Sequence, residues 1–281
     1  MRAVRLCTLG DLLLDVIVRL DRPFARGDDS PATTRTRPGG QAANVAAWAA
    51  ALGADALFIG KRGDDPGGGL AASGLEQLGV AVRGPVVAGG STGMVVSVVE
   101  PDGERTMLSD RGVSPDLAPA EIDAAWLAGC ERLHLSGYSL LRTPHFDAAL
   151  EAARLARAGG ALVSVDLSSA ALIRDFGVAA FRARLARVAP DIVLGNEQEH
   201  DVLGGLPAPV WALKRGAHGC TVSDGTETID LPAVPTDVVD TTGAGDAFAA
   251  GFLLGGTLRE AAERGLAVAA RCVATLGSMP E

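Results

Sequence analysis

Arg132-Leu133-His134-Leu135, the stretch from Phe146 to Ala158, and Ala161-Leu162-Val163-Ser164-Val165 make a short apolar run, an alanine-rich segment of helical period, and a second apolar run. Read as strand, helix and strand, they form a β-α-β unit whose crossover makes the two strands parallel. The rhythm continues with a helix over Val178 to Val188 and a strand over Asp191 to Leu194. It is already present upstream, where strand Val4 to Leu9, helix Ala42 to Leu52, strand Ala56 to Ile59 and helix Gly68 to Leu78 follow one another. Alternation of this kind predicts an α/β fold with helices on both faces of a mostly parallel sheet.

Two segments break the rhythm, at residues 15–38 and 80–110, and both read as antiparallel ribbon. In the second, Gly93 to Glu100 and Arg105 to Leu108 flank a turn at Pro101-Asp102-Gly103. Neither segment alternates strongly enough to fold alone. A small sheet laid over the open end of the main one would act as a lid that keeps water from a reaction. No long linker or repeat divides the chain, so residues 1–281 are expected to form one domain.

With 281 residues, 48% of them hydrophobic, and a mean hydropathy of +0.24, the chain can bury a large core, which excludes a disordered or fibrous protein. A net charge of -9 and a pI near 5.0 argue against sequence-independent binding to nucleic acid or anionic membrane. Cys7, Cys130, Cys220 and Cys272 are widely spaced and read as reduced core residues. The apolar stretch from Leu6 to Leu20 is interrupted by Asp11 and Asp15, and no run approaches the roughly 18 apolar residues a membrane span needs. A cytoplasmic protein is expected.

Four constellations carry chemistry. The first is Asp240-Thr-Thr-Gly-Ala-Gly-Asp-Ala-Phe248, which joins a β-branched run ending at Val238-Val239 to the apolar stretch Ala247 to Leu254 and reads as a strand-to-helix connection. Backbone N–H groups at a helix start have no internal partner and sit at the positive end of the helix dipole, so Gly243, Ala244 and Gly245 would hold an anion. Asp246 stands at the same place as a base, and a positioned base typically contributes about 10²- to 10⁴-fold in rate. Base and anion hole together suit phosphoryl transfer to an alcohol.

The second is Pro38-Gly39-Gly40-Gln41-Ala42-Ala43-Asn44, where the glycines allow close approach and Asn44 offers a donor and an acceptor to a polyol. Asp11 and Asp15 follow the first strand, where ligands gather in parallel sheets. The third, Gly195-Asn196-Glu197-Gln198-Glu199, follows a strand and opens a helix, so Asn196 and Glu199 share a face; they would organise hydrated Mg²⁺ or simply cap the helix. The fourth, Lys214-Arg215-Gly216-Ala217-His218-Gly219, is either a nucleotide contact or a surface hairpin.

Taken together, these stretches resemble the ribokinase or PfkB carbohydrate kinase family along nearly the whole chain and in the right order. Further matches are Gly60 to Gly67, Asp-Gly-Glu-Arg at 102–105 and Asn-x-x-Glu at 196–199. The resemblance implies a three-layer α/β/α sandwich with a small β lid. It also implies ATP and Mg²⁺ as cofactors and a small carbohydrate as substrate. Asp246 would be the base and Gly243, Ala244 and Gly245 the anion hole. Asp11, Asp15, Gly39, Gly40 and Asn44 would bind the sugar. Asn196, Thr242, Lys214, Arg215, Gly216 and Gly219 would border ATP, with Glu199 holding Mg²⁺ through water. Some members respond to a monovalent cation such as K⁺, which here would involve Asp240 and the tail after Gly277; the tail ends soon after, at Glu281. Lid sheets in the family often pair between subunits, so a homodimer through the lid is expected.

The chain departs from ribokinase at Gln41, where ribokinases usually carry Lys, at Leu12-Leu13-Leu14, and in the lid arginines. Arg35, Arg37, Arg105 and Arg111 would read a carboxylate or phosphate on the substrate if they face the pocket. The expected acceptor is therefore a hydroxymethyl group of a ribose-, fructose- or sugar-acid-like carbohydrate. A nucleoside kinase would need an aromatic platform, and the lid offers little beyond Phe24. A dinucleotide-dependent dehydrogenase would need Gly-x-Gly-x-x-Gly after the first strand, where Leu9-Gly10-Asp11-Leu12 stands instead. A non-catalytic binding protein of the same fold is the third alternative.

Overall fold

The computed structural model describes residues 3–102 and 104–280; Gly103 of the expected turn and Glu281 lie outside the described residues. In chain order the elements are β1 (Arg5–Leu9), β2 (Leu13–Leu20), β3 (Ala32–Gly39), α1 (Gln41–Ala51), β4 (Asp55–Ile59), β5 (Arg62–Gly63), α2 (Pro66–Gln77), β6 (Ala81–Arg83), β7 (Val86–Val87), β8 (Thr92–Val99) and β9 (Arg105–Gly112). They continue with β10 (Arg132–Ser136), α3 (His145–Ala158), β11 (Leu162–Asp166), α4 (Ala170–Phe176), α5 (Val178–Val188), β12 (Ile192–Asn196), α6 (Glu197–Leu203), β13 (Val210–Lys214), β14 (Cys220–Ser223), β15 (Thr228–Leu231), α7 (Ala244–Leu253) and α8 (Leu258–Val273).

The large sheet runs β15-β14-β13-β12-β11-β10-β1-β4-β6, parallel from β6 to β13 and closed at the other edge by antiparallel β14 and β15. Side chains on a strand alternate between faces, and both layers draw on that alternation. In β4, Ala56 and Phe58 join the core under α1, α2, α7 and α8, whereas Leu57 and Ile59 join the core under α3 to α6. Each fully buried Leu or Phe contributes about 1.5–3 kcal/mol relative to exposure. Helices α7 and α8 approach closely because glycines face the contact: a Cβ on Gly251 would lie 2.8 Å from the Arg264 carbonyl oxygen, and one on Gly265 would lie 2.9 Å from Phe248.

The lid differs from the expected pair of antiparallel ribbons. Hairpins β2–β3 and β8–β9 are each antiparallel, but β2 and β8 join them in parallel, giving the order β3-β2-β8-β9. Residues 80–91 do not belong to it. Within them β6 extends the main sheet and β7 pairs with β5, because Val80 and Val82 bury against α2 and β4. Among the described residues no helix is long and apolar enough to cross a membrane, and all four cysteines are free and buried.

Candidate functional site

In a parallel sheet every carboxyl end faces the same edge, and the N-termini of the following helices converge there. This arrangement brings Asp11, Asp166, Asn196 and Lys214, at strand ends, toward Asn44 in α1 and Asp246 in α7. The lid hinges over them from Leu13 and Gly39.

Gly243 is the residue before α7, with φ of 76°, a left-handed conformation that suits glycine. A Cβ there would also strike Ser278 at 2.6 Å, so the C-terminal tail packs directly behind the bend. No side chain caps α7. The N–H groups of Gly245 and Asp246 find no acceptor among the described residues, which leaves them for an anion. Lys214 Nζ adds charge beside them, standing 3.1 Å from where a Cβ of Gly245 would be.

Asp246 is the third residue of α7 rather than its first, because the helix begins at Ala244. Asn44 Nδ2 donates to Asp246 Oδ2 at 2.7 Å, and the Ser278 hydroxyl in turn donates to Asn44 Oδ1 at 3.2 Å. Trp48 Nε1 donates to the Ser278 carbonyl at 2.9 Å, so α1, α7 and the tail fix one carboxylate. Burial pushes the Asp246 carboxyl up to about 7; the Asn44 bond and Lys214 pull it down, and the charges of Asp166 and Asp15 push it further up. Burial likewise pushes Asp15 up to about 7.

Gly39 and Gly40 make room for these carboxylates. A Cβ on Gly39 would fall 2.1 Å from Asp15 Oδ1, and one on Gly40, whose φ is 105°, would fall 2.1 Å from the Asp11 carbonyl oxygen. Asp11 is buried and paired with the lid residue Arg111, whose guanidinium also lies 5.1 Å over the Tyr138 ring. His145 Nδ1 is 3.7 Å from Asp11 Oδ1, and burial together with the Arg111 charge pushes this imidazole down to about 3, so it stays neutral.

Lys214 Nζ donates to Asp166 Oδ2 at 2.5 Å. Burial lowers the lysine, but the opposing charges of Asp166 and Glu199 outweigh it and hold the ammonium charged. Asn196 and Glu199 close a reciprocal capping box on α6: Asn196 Oδ1 accepts from Glu199 N at 2.9 Å, and Glu199 accepts from Asn196 N at 2.8 Å and from Asn196 Nδ2 at 3.0 Å. The pair builds the helix start, with lone pairs of the carboxylate left over for a water.

Thr242 donates from both N and Oγ1 to Asp240 Oδ1, at 2.9 and 2.5 Å, and Gly277 N donates to Asp240 Oδ2 at 3.0 Å. Burial pushes Asp240 up, but these bonds and Arg105 outweigh it and keep the carboxyl below its ordinary range. A cleft of about 390 Å³ opens beside this bend, between the loop and lid residues Ile17, Arg19 and Arg105.

Three expectations change. Val238 and Val239 are not strand; they are 64% and 61% exposed in the loop after β15, because no neighbouring strand remains for them to pair with. Residues 214–219 form the turn of the β13–β14 hairpin, with Arg215 turned to Asp230 at 3.1 Å and Gly219 placed where a Cβ would meet the Leu231 carbonyl at 2.0 Å. Lys214 lies beside the start of α7, while Arg215, Gly216 and Gly219 lie in the hairpin turn. Arg105 points to Asp240 at 3.5 Å, away from Asp15 and Asn44. Asp166, Ser278, Tyr138 and His145 belong to the site but escaped sequence reading. Asp166 was findable, since it ends a parallel strand as Asp11 nearly does.

A half-buried carboxylate in the first turn of a helix with uncapped amides, at the carboxyl edge of a lidded parallel sheet, is an arrangement that fits a phosphotransferase of the ribokinase fold. Residues 4–280 match the pfkB family of carbohydrate kinases, and the chain belongs to that family and acts on a sugar hydroxyl. It is 36% identical over 280 residues to an ATP-dependent ribose-1-phosphate kinase of Halopiger xanaduensis, with 96% of this chain and 90% of the relative covered. The adenosine kinase of Sinorhizobium meliloti superposes with a TM-score of 0.88 at 28% identity, covering 99% of this chain and 96% of that one. A candidate ribokinase II from E. coli, solved with ATP and Mg²⁺, has a TM-score of 0.85 at 22% identity over 98% and 94% of the two chains, a likeness of fold.

Proposed function

We propose that this chain is an ATP-dependent kinase that phosphorylates a hydroxymethyl group of a small sugar carrying an acidic substituent, a sugar phosphate in particular. The observation that carries the kinase reading is Asp246 itself: a half-buried carboxylate oriented by Asn44, in the same helical turn as unpartnered N–H groups and next to the Lys214 ammonium. In this reading Asp246 takes the proton of the hydroxymethyl oxygen as that oxygen attacks. The unpartnered amides of Gly245 and Asp246 hold the charge developing on the transferred group, in place of the expected Gly243–Gly245 set, because Ala244 N already donates to Thr241 O at 3.3 Å; Lys214 adds a neutralising charge. Bound ATP and Mg²⁺ supply the γ-phosphoryl group, with Asn196, Glu199 and Thr242 as the residues that would border them. The donor set fits an anion at this place: free amides, a fixed ammonium, and carboxylates within reach of hydrated metal.

An acidic substituent is supported by the inner lid face. Cross-strand register puts Arg37, Asp15 and Val95 on one face of the lid, with Arg35 and Ile17 one pair further out. This is the face whose Arg111 and Arg105 reach Asp11 and Asp240. Arg37 is half-buried beside Asp15, has no acidic partner among the described residues, and approaches Gly277 closely. A free guanidinium so placed suits a phosphate or carboxylate, and the Halopiger relative is named for a sugar phosphate.

The test is an ADP-release screen across pentoses, hexoses, sugar acids, sugar phosphates and nucleosides. Turnover confined to nucleosides would replace the sugar reading. With the best sugar, Asp246→Asn should lose at least about 100-fold in turnover while remaining folded, with a melting temperature no lower than that of wild type. Arg37→Ala should raise KM for an acidic sugar at least about tenfold and leave that for its neutral counterpart within about twofold; equal effects on both would remove the acidic substituent.

A further inference from the structure

Asp240 is the position at which family resemblance calls for a monovalent cation, and the oxygens around it do not fit one. Such an ion is held by oxygens that present free lone pairs from several sides. Here the oxygens already face hydrogen-bond donors. Asp240 Oδ1 accepts from Thr242 N and Oγ1, and Oδ2 accepts from Gly277 N at 3.0 Å. Two neighbouring carbonyls are taken as well. Val273 O receives both Val239 N, at 2.7 Å, and Asp240 N, at 3.2 Å, and Thr242 O receives the Cys272 thiol at 3.3 Å.

What does stand there is a fixed positive charge. Arg105, the first residue of β9, reaches across from the lid and brings Nη1 within 3.5 Å of Asp240 Oδ1, with both side chains only partly exposed. We propose that Arg105 is the cation of this loop, a positioning residue that makes the enzyme independent of K⁺. The proposal rests on the kinase reading above. Asp240 holds Thr242, one residue before Gly243, so it shapes the bend that aims the amides of the anion hole. Without Arg105 its charge would stand uncompensated near the charge developing on the transferred phosphoryl group. The pairing exists only while the lid lies against the loop, so covering the sugar and balancing the charge at the anion hole become one event.

Melting of the substrate-free protein in KCl and NaCl at equal ionic strength tests the missing ion site without relying on turnover. Wild type should melt within about 2 °C in the two salts and turn over within about threefold, because an ion with no site stabilises nothing. A larger shift or stimulation in K⁺ overturns the proposal. Arg105→Gln should lower kcat about tenfold or more with KM for the sugar nearly unchanged, and Arg105→Lys should retain most of the rate. A Gln variant within about twofold of wild type, or a loss that Lys does not restore, also overturns it. If no sugar is phosphorylated at all, the kinase reading fails, and the salt comparison still reports on the ion site.

Discussion

Asp246 is expected to set the pH behaviour of the site, because burial pushes its carboxyl from the ordinary 3.8 up to about 7. As the proposed base it works only when ionised, so kcat/KM should rise about tenfold per pH unit below 7 and level off above it. Ionised Asp15 pushes Asp246 up, so Asp15→Asn should move the midpoint to lower pH in a pH-rate profile; a midpoint that stays or rises would contradict the coupling. The stability consequence has the opposite sense. Between about 4 and 7 the folded carboxyl keeps a proton that the unfolded chain has lost, so its contribution is full at low pH and fades as pH rises through 7. Melting temperatures of wild type and Asp246→Asn across that range should converge toward acid and diverge toward neutral pH, with the variant the more stable. Asp246 was legible from its motif. Its elevated titration was not, since burial and the charges of Asp166 and Asp15 come from residues far away in sequence.

At the scale of elements, the role proposed for α7 depends on how it starts. The left-handed Gly243 turns the chain so that the first helical amides point into the site, and the tail residue Ser278 packs against its Cα. Gly243→Ala introduces both a strained backbone and a 2.6 Å clash with Ser278. It should cost about 1–3 kcal/mol in denaturant unfolding and at the same time lower turnover, because the amides lose their aim. An alanine variant of unchanged activity would show that the bend does not form the anion hole. Helices α1, α2, α3 and α5 were readable to within two residues, α5 with the expected bounds Val178–Val188, whereas α7 starts three residues earlier than expected and α4 and α8 were not read. The Val238-Val239 run misled because β-branched composition predicts strand only where a partner strand is available, and after β15 none is.

For the whole molecule, the two faces of the lid divide the work. The inner face carries Arg37, Asp15, Arg105 and Arg111 toward the site, while register places Val16, Val18, Val96, Val98 and Leu108 on the opposite face. Helix α2 covers that outer face only near the hinge, where Gly74 meets Pro38, and Leu108 is left 59% exposed. An apolar sheet face of this kind suits a second copy of the chain, and we propose that the lid pairs two subunits there. Sedimentation should then give a dimer for wild type and a monomer for Leu108→Asp; a wild-type monomer at tens of micromolar protein would exclude it.

The sequence alone determined the layered α/β core, the lid segment and the glycine-rich helix start that carries Asp246, because strand and helix periods and such a start are local properties. Tertiary structure decided the rest. Only packing shows that Lys214 turns inward to Asp166 while Arg215 turns out to Asp230, that Asn44 and Ser278 hold Asp246, and that Arg105 serves Asp240 while Arg37 stays free. Each of those outcomes depends on which distant charges share a buried space, and that is fixed by the order of strands in the sheet and the register of the lid above it.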